Sequence, residues 1–169
     1  MLKVGDKAPS FELENQNGKL ISLSSYEGKW LVVYFYPKDN TPGCTKEAID
    51  FTNLKDEFSS RDCSIVGISP DSIASHQRFI QKYDLTIDLL SDGEKSVIQS
   101  YGAWGKKRNY AREYFGLVRS TFIINDKGKI VEIYSNVKVR RKKGGEEILH
   151  AQDVLDRLVE LKLESFPVC

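Results

Sequence analysis

The stretch Tyr34-Phe35-Tyr36-Pro37-Lys38-Asp39-Asn40-Thr41-Pro42-Gly43-Cys44-Thr45-Lys46-Glu47 closes an apolar, aromatic run and opens a helical pattern. Thr41 reads as the N-cap, Pro42 as N1, Gly43 as N2 and Cys44 as N3. A thiol at N3 lies among unpaired backbone N–H groups and at the positive end of the helix dipole. Both favour the thiolate, the reactive form of cysteine. Free cysteines commonly serve as small buried hydrophobes. Here the flanking Pro42, Gly43 and Thr41 are poor core formers, and the residue sits where a strand hands over to a helix. In α/β folds that edge is where ligands bind.

Working outward, Trp30–Tyr36 is a continuous apolar run and reads as a central strand buried on both faces. Residues 43–60 carry Ala48, Phe51, Leu54 and Phe58 at helical spacing. Cys63–Ile68 is the next strand, Ser72–Tyr83 the next helix, Ile87–Leu90 a short strand and Lys95–Tyr101 a short helix. Asn17-Gly18 turns an N-terminal hairpin between Phe11–Leu13 and Leu20–Leu23. Arg119–Ile124 and Ile130–Ser135 form a second hairpin. Ala151–Leu161 is a final helix with Val154, Leu155, Leu158 and Leu161 on its apolar face. This order predicts a mixed α/β fold in which a right-handed crossover sets the Cys63 strand beside the Trp30 strand.

A chain of 169 residues suits one domain, 1–169, with 164–169 expected as a mobile tail. A net charge of +1 argues against a dedicated nucleic-acid or membrane-surface protein. No segment approaches the length that spans a bilayer, and the first residues lack a signal-peptide pattern, so a cytoplasmic protein is expected. The three cysteines, at 44, 63 and 169, contain no C-x-x-C pair. That excludes a disulfide framework, gives no zinc spacing and weakens a thioredoxin-type dithiol reading. His76 and His150 lie far apart and read as a surface helix residue or a helix-start residue. Neither a metal nor an organic cofactor is expected. The sixth residue after Cys44 is Asp50, so Cys-x5-Arg phosphatase chemistry fails, and no G-x-S-x-G or phosphate loop is present.

The spacing Pro37-x-x-x-Thr41-x-x-Cys44 resembles the active-site motif of the peroxiredoxins, thiol peroxidases of the thioredoxin fold. The string Tyr36–Thr45 resembles their bacterioferritin-comigratory-protein, or peroxiredoxin Q, branch. Val4–Phe11, Val66–Ser72, Leu89–Asp92, Tyr101–Gly105 and Arg119–Asn125 continue the likeness in the family's order, over about residues 2–136 and the last helix. The resemblance implies a thioredoxin-like fold with a mixed central sheet, flanking helices and an N-terminal hairpin.

It also implies an enzyme that reduces hydrogen peroxide and organic hydroperoxides through a cysteine sulfenic acid, in antioxidant defence. Cys44 would be the nucleophile. Backbone N–H groups at Gly43 and Cys44 would help hold the peroxide, and the Thr41 hydroxyl would contact thiolate or peroxide. The Pro37 ring would keep water off the sulfur. By resemblance Arg119 reaches Cys44, favours the thiolate and stabilises the leaving oxygen, and Glu47 orients Arg119. Each also has a plainer reading: Thr41 as a cap, Pro37 as a strand terminator, Arg119 as a strand-edge ion pair, and Glu47 as a first-turn glutamate.

The chain departs from its branch at the resolving position. The usual cysteine five residues after the first is Ile49, and the alternative location, about Phe79–Tyr83, has none. Cys63 opens a strand and is expected to be buried, which makes it the weaker resolving candidate, while Cys169 in the tail could reach Cys44 of the same or another chain. The expectation is a one-cysteine peroxidase regenerated by an outside thiol, thioredoxin or a small thiol, acting as a monomer or homodimer. The alternative is a redox sensor or holdase switched by cysteine oxidation. Arg140–Lys143 reads as a solvated loop, or else as a docking patch for an acidic reductant or a phosphate-bearing molecule; Lys106–Arg108 carries the same ambiguity.

Overall fold

The computed structural model describes residues 1–109 and 111–165. An N-terminal hairpin pairs β1 (Glu12–Glu14) with β2 (Leu20–Ser22) and is followed by a 3-10 turn, Leu23–Tyr26. Next come β3 (Trp30–Phe35), α1 (Pro42–Ser59), β4 (Cys63–Ser69), α2 (Ile73–Tyr83), β5 (Asp88–Ser91) and α3 (Ser96–Ser100). A ribbon of β6 (Trp104–Asn109) and β7 (Arg112–Leu117) precedes β8 (Ser120–Ile124) and β9 (Ile130–Ser135). A second ribbon, β10 (Arg140–Lys143) and β11 (Glu146–Leu149), leads into α4 (His150–Ser165).

Seven strands form one sheet in the order β2-β1-β5-β4-β3-β8-β9. β3, β4 and β5 run parallel, and β8 lies antiparallel to β3. Every residue of β3 is buried because layers cover both faces. Trp30, Val32 and Tyr34 pack with Phe51, Phe58, Val154 and Leu158 from α1 and α4. Leu31, Val33 and Phe35 pack on the other face with Ile98, Tyr101 and Phe122. The alternation is the period-two geometry of a strand inside a three-layer domain. Gly67 on β4 sits opposite Tyr34 in the ladder, and a Cβ there would meet Tyr34 Cζ at 2.7 Å. Only a residue without a side chain lets that ring lie across β4.

The expected strands, helices and both hairpins are present within two residues at most ends, and α4 is longer. It runs through Glu164 and Ser165, the first two residues of the stretch expected as a tail. Residues 166–169, including Cys169, lie outside the described residues. Three expectations are corrected. Lys106–Arg108 is not a loop but part of β6, paired with β7. Arg140–Lys143 is not a loop but a strand paired with Glu146–Leu149 across Gly144-Gly145. Lys142 lies opposite Glu147 and Lys143 opposite Glu146, so cross-strand charge pairing replaces the missing apolar face. His76 is not on the surface but wholly buried, because a polar partner from another segment awaits it there.

Candidate active site

α1 begins where the sequence places it. Thr41 is extended (φ −99°, ψ 156°), Pro42 takes the first helical position, and Thr45 N–H is the first to reach back, to Thr41 O at 2.8 Å. The N–H groups of Gly43 and Cys44 therefore have no partner within the helix and point from its first turn. The Thr41 side chain does not cap the helix. Its hydroxyl donates to Lys38 O at 2.8 Å instead, which leaves its oxygen as an acceptor.

Cys44 is 1% exposed. Arg119, just before β8, enters from the neighbouring strand, since β8 pairs with the end of β3 at Phe35 and Ser120. Its Nη2 donates to Cys44 Sγ at 3.2 Å and its Nη1 to Glu47 Oε1 at 2.6 Å. The guanidinium fork thus holds the sulfur and a carboxylate together, a geometry lysine would not reproduce. Gly43 permits this approach: a Cβ there would lie 3.3 Å from Arg119 Nη2. Burial pushes the Glu47 carboxyl up, to about 7, while Arg119 pulls it down. Glu47 Oε2 and the Tyr34 hydroxyl are buried without a hydrogen-bond partner among the described residues. Pro37 is half-buried directly beyond β3. The expected set, Pro37, Thr41, Gly43, Cys44, Glu47 and Arg119, thus lies on one loop, one helix start and one strand start at a single edge of the sheet.

Among the described residues the other cysteine, Cys63, is not part of this cluster. Cys63 pairs in register with Trp30, at the opposite end of β3. Five strand residues separate it from the active edge, roughly 17 Å. It is 2% exposed, and burial pushes its thiol up to about 12. Among the described residues no group of His, Cys, Asp and Glu side chains could hold a metal ion.

Three polar arrangements around the site are absent from the sequence reading. Asp50, buried one and a half turns beyond Cys44, receives two hydrogen bonds from Arg140 of β10, at 2.7 and 3.1 Å. His150, the first residue of α4, bonds Thr121 at 2.8 Å, and burial lowers its pKa from 6.5 to about 4. His76 and Asp39 meet beneath the active-site loop at 2.7 Å. A signal for the last was available: His76, Phe79, Ile80 and Tyr83 fall on one helical stripe, and that stripe faces inward.

The AhpC/TSA family matches residues 4–133. The chain is 48% identical over 157 residues to a putative peroxiredoxin bcp of Helicobacter pylori J99, covering 93% of this chain and 98% of that protein. It is 42% identical over 139 residues to peroxiredoxin Bcp of Bacillus subtilis, covering 82% and 88%. A solved structure of Xanthomonas campestris bacterioferritin comigratory protein, described for its alkyl peroxide reduction activity, superposes with a TM-score of 0.80 at 36% identity, covering 89% and 91%. No described helix is long and apolar enough to cross a membrane.

Proposed function

This chain belongs to the AhpC/TSA family as a thiol-dependent peroxidase of the peroxiredoxin Bcp type, and on that premise we propose how its residues divide the work. Cys44 is the nucleophile. Its thiolate attacks the nearer oxygen of a hydroperoxide in line with the O–O bond. An S–O bond forms, the O–O bond breaks, and the electron pair leaves on the far oxygen, which takes up a proton as water or an alcohol. Cys44 becomes the sulfenic acid. The single observation that carries this reading is the 3.2 Å contact between Arg119 and Cys44 in a nearly closed site.

Arg119 and the N–H groups of Gly43 and Cys44 stabilise charge as the O–O bond opens. The Thr41 oxygen accepts from the peroxide O–H and fixes its direction. Glu47 orients Arg119, and Pro37 screens the sulfur from water. Alkyl hydroperoxides fit the same chemistry, the class named for the Xanthomonas relative. Regeneration proceeds in one-cysteine fashion. An external thiol attacks the sulfenic sulfur and releases water, and a second thiol releases Cys44 as thiolate. Ile49 at the usual resolving position supports this, as does the distance to Cys63.

Peroxide consumption with excess dithiol, followed for wild type and Cys44→Ser, tests the assignment; near-normal turnover by the variant overturns it. Peptide mapping without reductant after one equivalent of peroxide tests the resolving step. The expected product is Cys44 sulfenic acid without a bridge. A near-stoichiometric Cys44–Cys169 disulfide would replace the one-cysteine scheme and keep the peroxidase.

A further inference from the structure

The loop that leads into Cys44 is held from below by a carboxylate. Asp39 Oδ1 accepts from the Tyr36 hydroxyl at 2.6 Å, and Oδ2 accepts from the Ser75 hydroxyl at 2.8 Å and faces His76 Nδ1 at 2.7 Å. The Asp39 N–H donates to Asp71 Oδ2 at 2.8 Å. At the other end of the imidazole, Nε2 lies 3.1 Å from Leu90 O on β5. The ring is gripped at both nitrogens, and the side chains of His76 and Asp39 are 0% and 3% exposed. Asn40, the next residue, takes a left-handed φ of 59°. Such a conformation persists where surrounding contacts over-determine it.

Among the described residues Cys44 Sγ takes its hydrogen bond from Arg119 and none from these groups, so they do not act on the sulfur directly. They fasten the three residues between Pro37 and Thr41 to the sheet and to α2. Cys44 is 1% exposed, so a thiol larger than peroxide reaches its sulfenic acid only if a covering segment moves. That loop and the first turn of α1 carry Cys44 in the chain, so they are the segments whose release would uncover it.

We propose that His76 is a positioning residue: through Asp39 it latches the active-site loop shut for peroxide attack, and release of this latch admits the reducing thiol. This rests on the reading of Cys44 as nucleophile. The latch favours the first half-reaction and opposes the second, so loosening it moves the two rates in opposite directions. A merely structural role would lower both, or neither.

The test uses His76→Phe, which retains a ring, and Asp39→Asn, which retains an acceptor for Tyr36. Single-turnover kinetics with hydrogen peroxide, then with a monothiol added to pre-formed sulfenic acid, separate the half-reactions. The expected result for His76→Phe is a peroxide step slower by about tenfold or more, and a thiol step severalfold faster. Amide exchange should accelerate at residues 38–46 and stay slow across β3 and β4. Asp39→Asn should shift both rates in the same directions by less. Parallel loss of both rates, unchanged rates, or faster exchange throughout the sheet would overturn the proposal. If His76→Phe does not fold, Ser75→Ala removes one bond to the same carboxylate at the edge of the network, and the same two rates decide. Loss of all peroxide reactivity in Cys44→Ser is the separate check on the nucleophile.

Discussion

Glu47 Oε1 and Arg119 Nη1 meet at 2.6 Å, with the Glu47 side chain 1% exposed and that of Arg119 17% exposed. The pair aims the second arm of the guanidinium at Cys44. Glu47→Gln keeps the shape and removes the charge that fixes Arg119. The peroxide step is expected to slow about tenfold, and in Arg119→Ala about 10²-fold, the scale of a lost transition-state donor. Stopped-flow rates at neutral pH check both. A rate within twofold of wild type for Arg119→Ala would leave the arginine a structural ion pair.

Thr41 stands at the N-cap position, but its hydroxyl bonds Lys38 O rather than the helix. Thr41→Val should therefore change stability by less than about 1 kcal/mol, the scale of one exposed hydrogen bond. Its peroxide step should fall at least tenfold, in keeping with lost substrate orientation. Thr41→Ser should retain most of the rate. Equal speed in the valine variant would make Thr41 a loop anchor only.

Arg140 ties the β10–β11 ribbon to α1 through the buried Asp50 carboxylate. Arg140→Ala leaves that carboxylate without its main partner. Because Arg140 is 29% exposed and water reaches the site, a loss of about 1–3 kcal/mol is expected. Urea unfolding measures it, and limited proteolysis should cut between residues 137 and 149 first. An unmoved midpoint would show that the ribbon docks without this pair.

His150 gives a pH signature. Its folded pKa, about 4, lies below the ordinary 6.5, so the unfolded chain binds the proton more tightly. Its contribution is present above pH 6.5 and is lost as pH falls through 4, up to about 3 kcal/mol. Glu47, raised to about 7, acts oppositely, its contribution being lost as pH rises from 4.5 through 7. The difference in unfolding free energy between wild type and His150→Phe cancels the Glu47 effect. That difference should climb from pH 4 to 6.5 and level off. A flat difference would mean that the ring titrates alike in both states.

The legible parts of this molecule are those where local chemistry and tertiary position agree. β3 declares itself by an unbroken apolar run, and α1 by Thr41, Pro42 and the spacing of Ala48, Phe51 and Phe58. The Arg119 contact came from resemblance, because its partners lie 72 and 75 residues away and periodicity carries nothing of that range. For His76 the inward stripe it shares with Phe79, Ile80 and Tyr83 is legible, but its polar partner Asp39, 37 residues earlier, is not. The ribbon at Arg140–Lys143 is illegible to a period-two reading because β10 is four cations in a row and β11 is two glutamates followed by Ile148 and Leu149, so neither strand alternates polar with apolar residues. Gly144-Gly145 between them was a usable hairpin signal.

Tyr34 and Gly67 also bear on how this sequence can change by descent. With the ring lying across β4, residue 67 cannot acquire even a methyl group while residue 34 remains a tyrosine. Nor can the ring be trimmed freely, since it stacks on Phe51 at 4.8 Å and fills the layer beneath α1. The two positions behave as a single inherited unit. A lineage leaving this arrangement passes either through an overpacked intermediate, with glycine changed first, or through one with a hole in its core, with tyrosine changed first. The sheet beside the reactive sulfur is thereby held in place by the cost of each single step away from it.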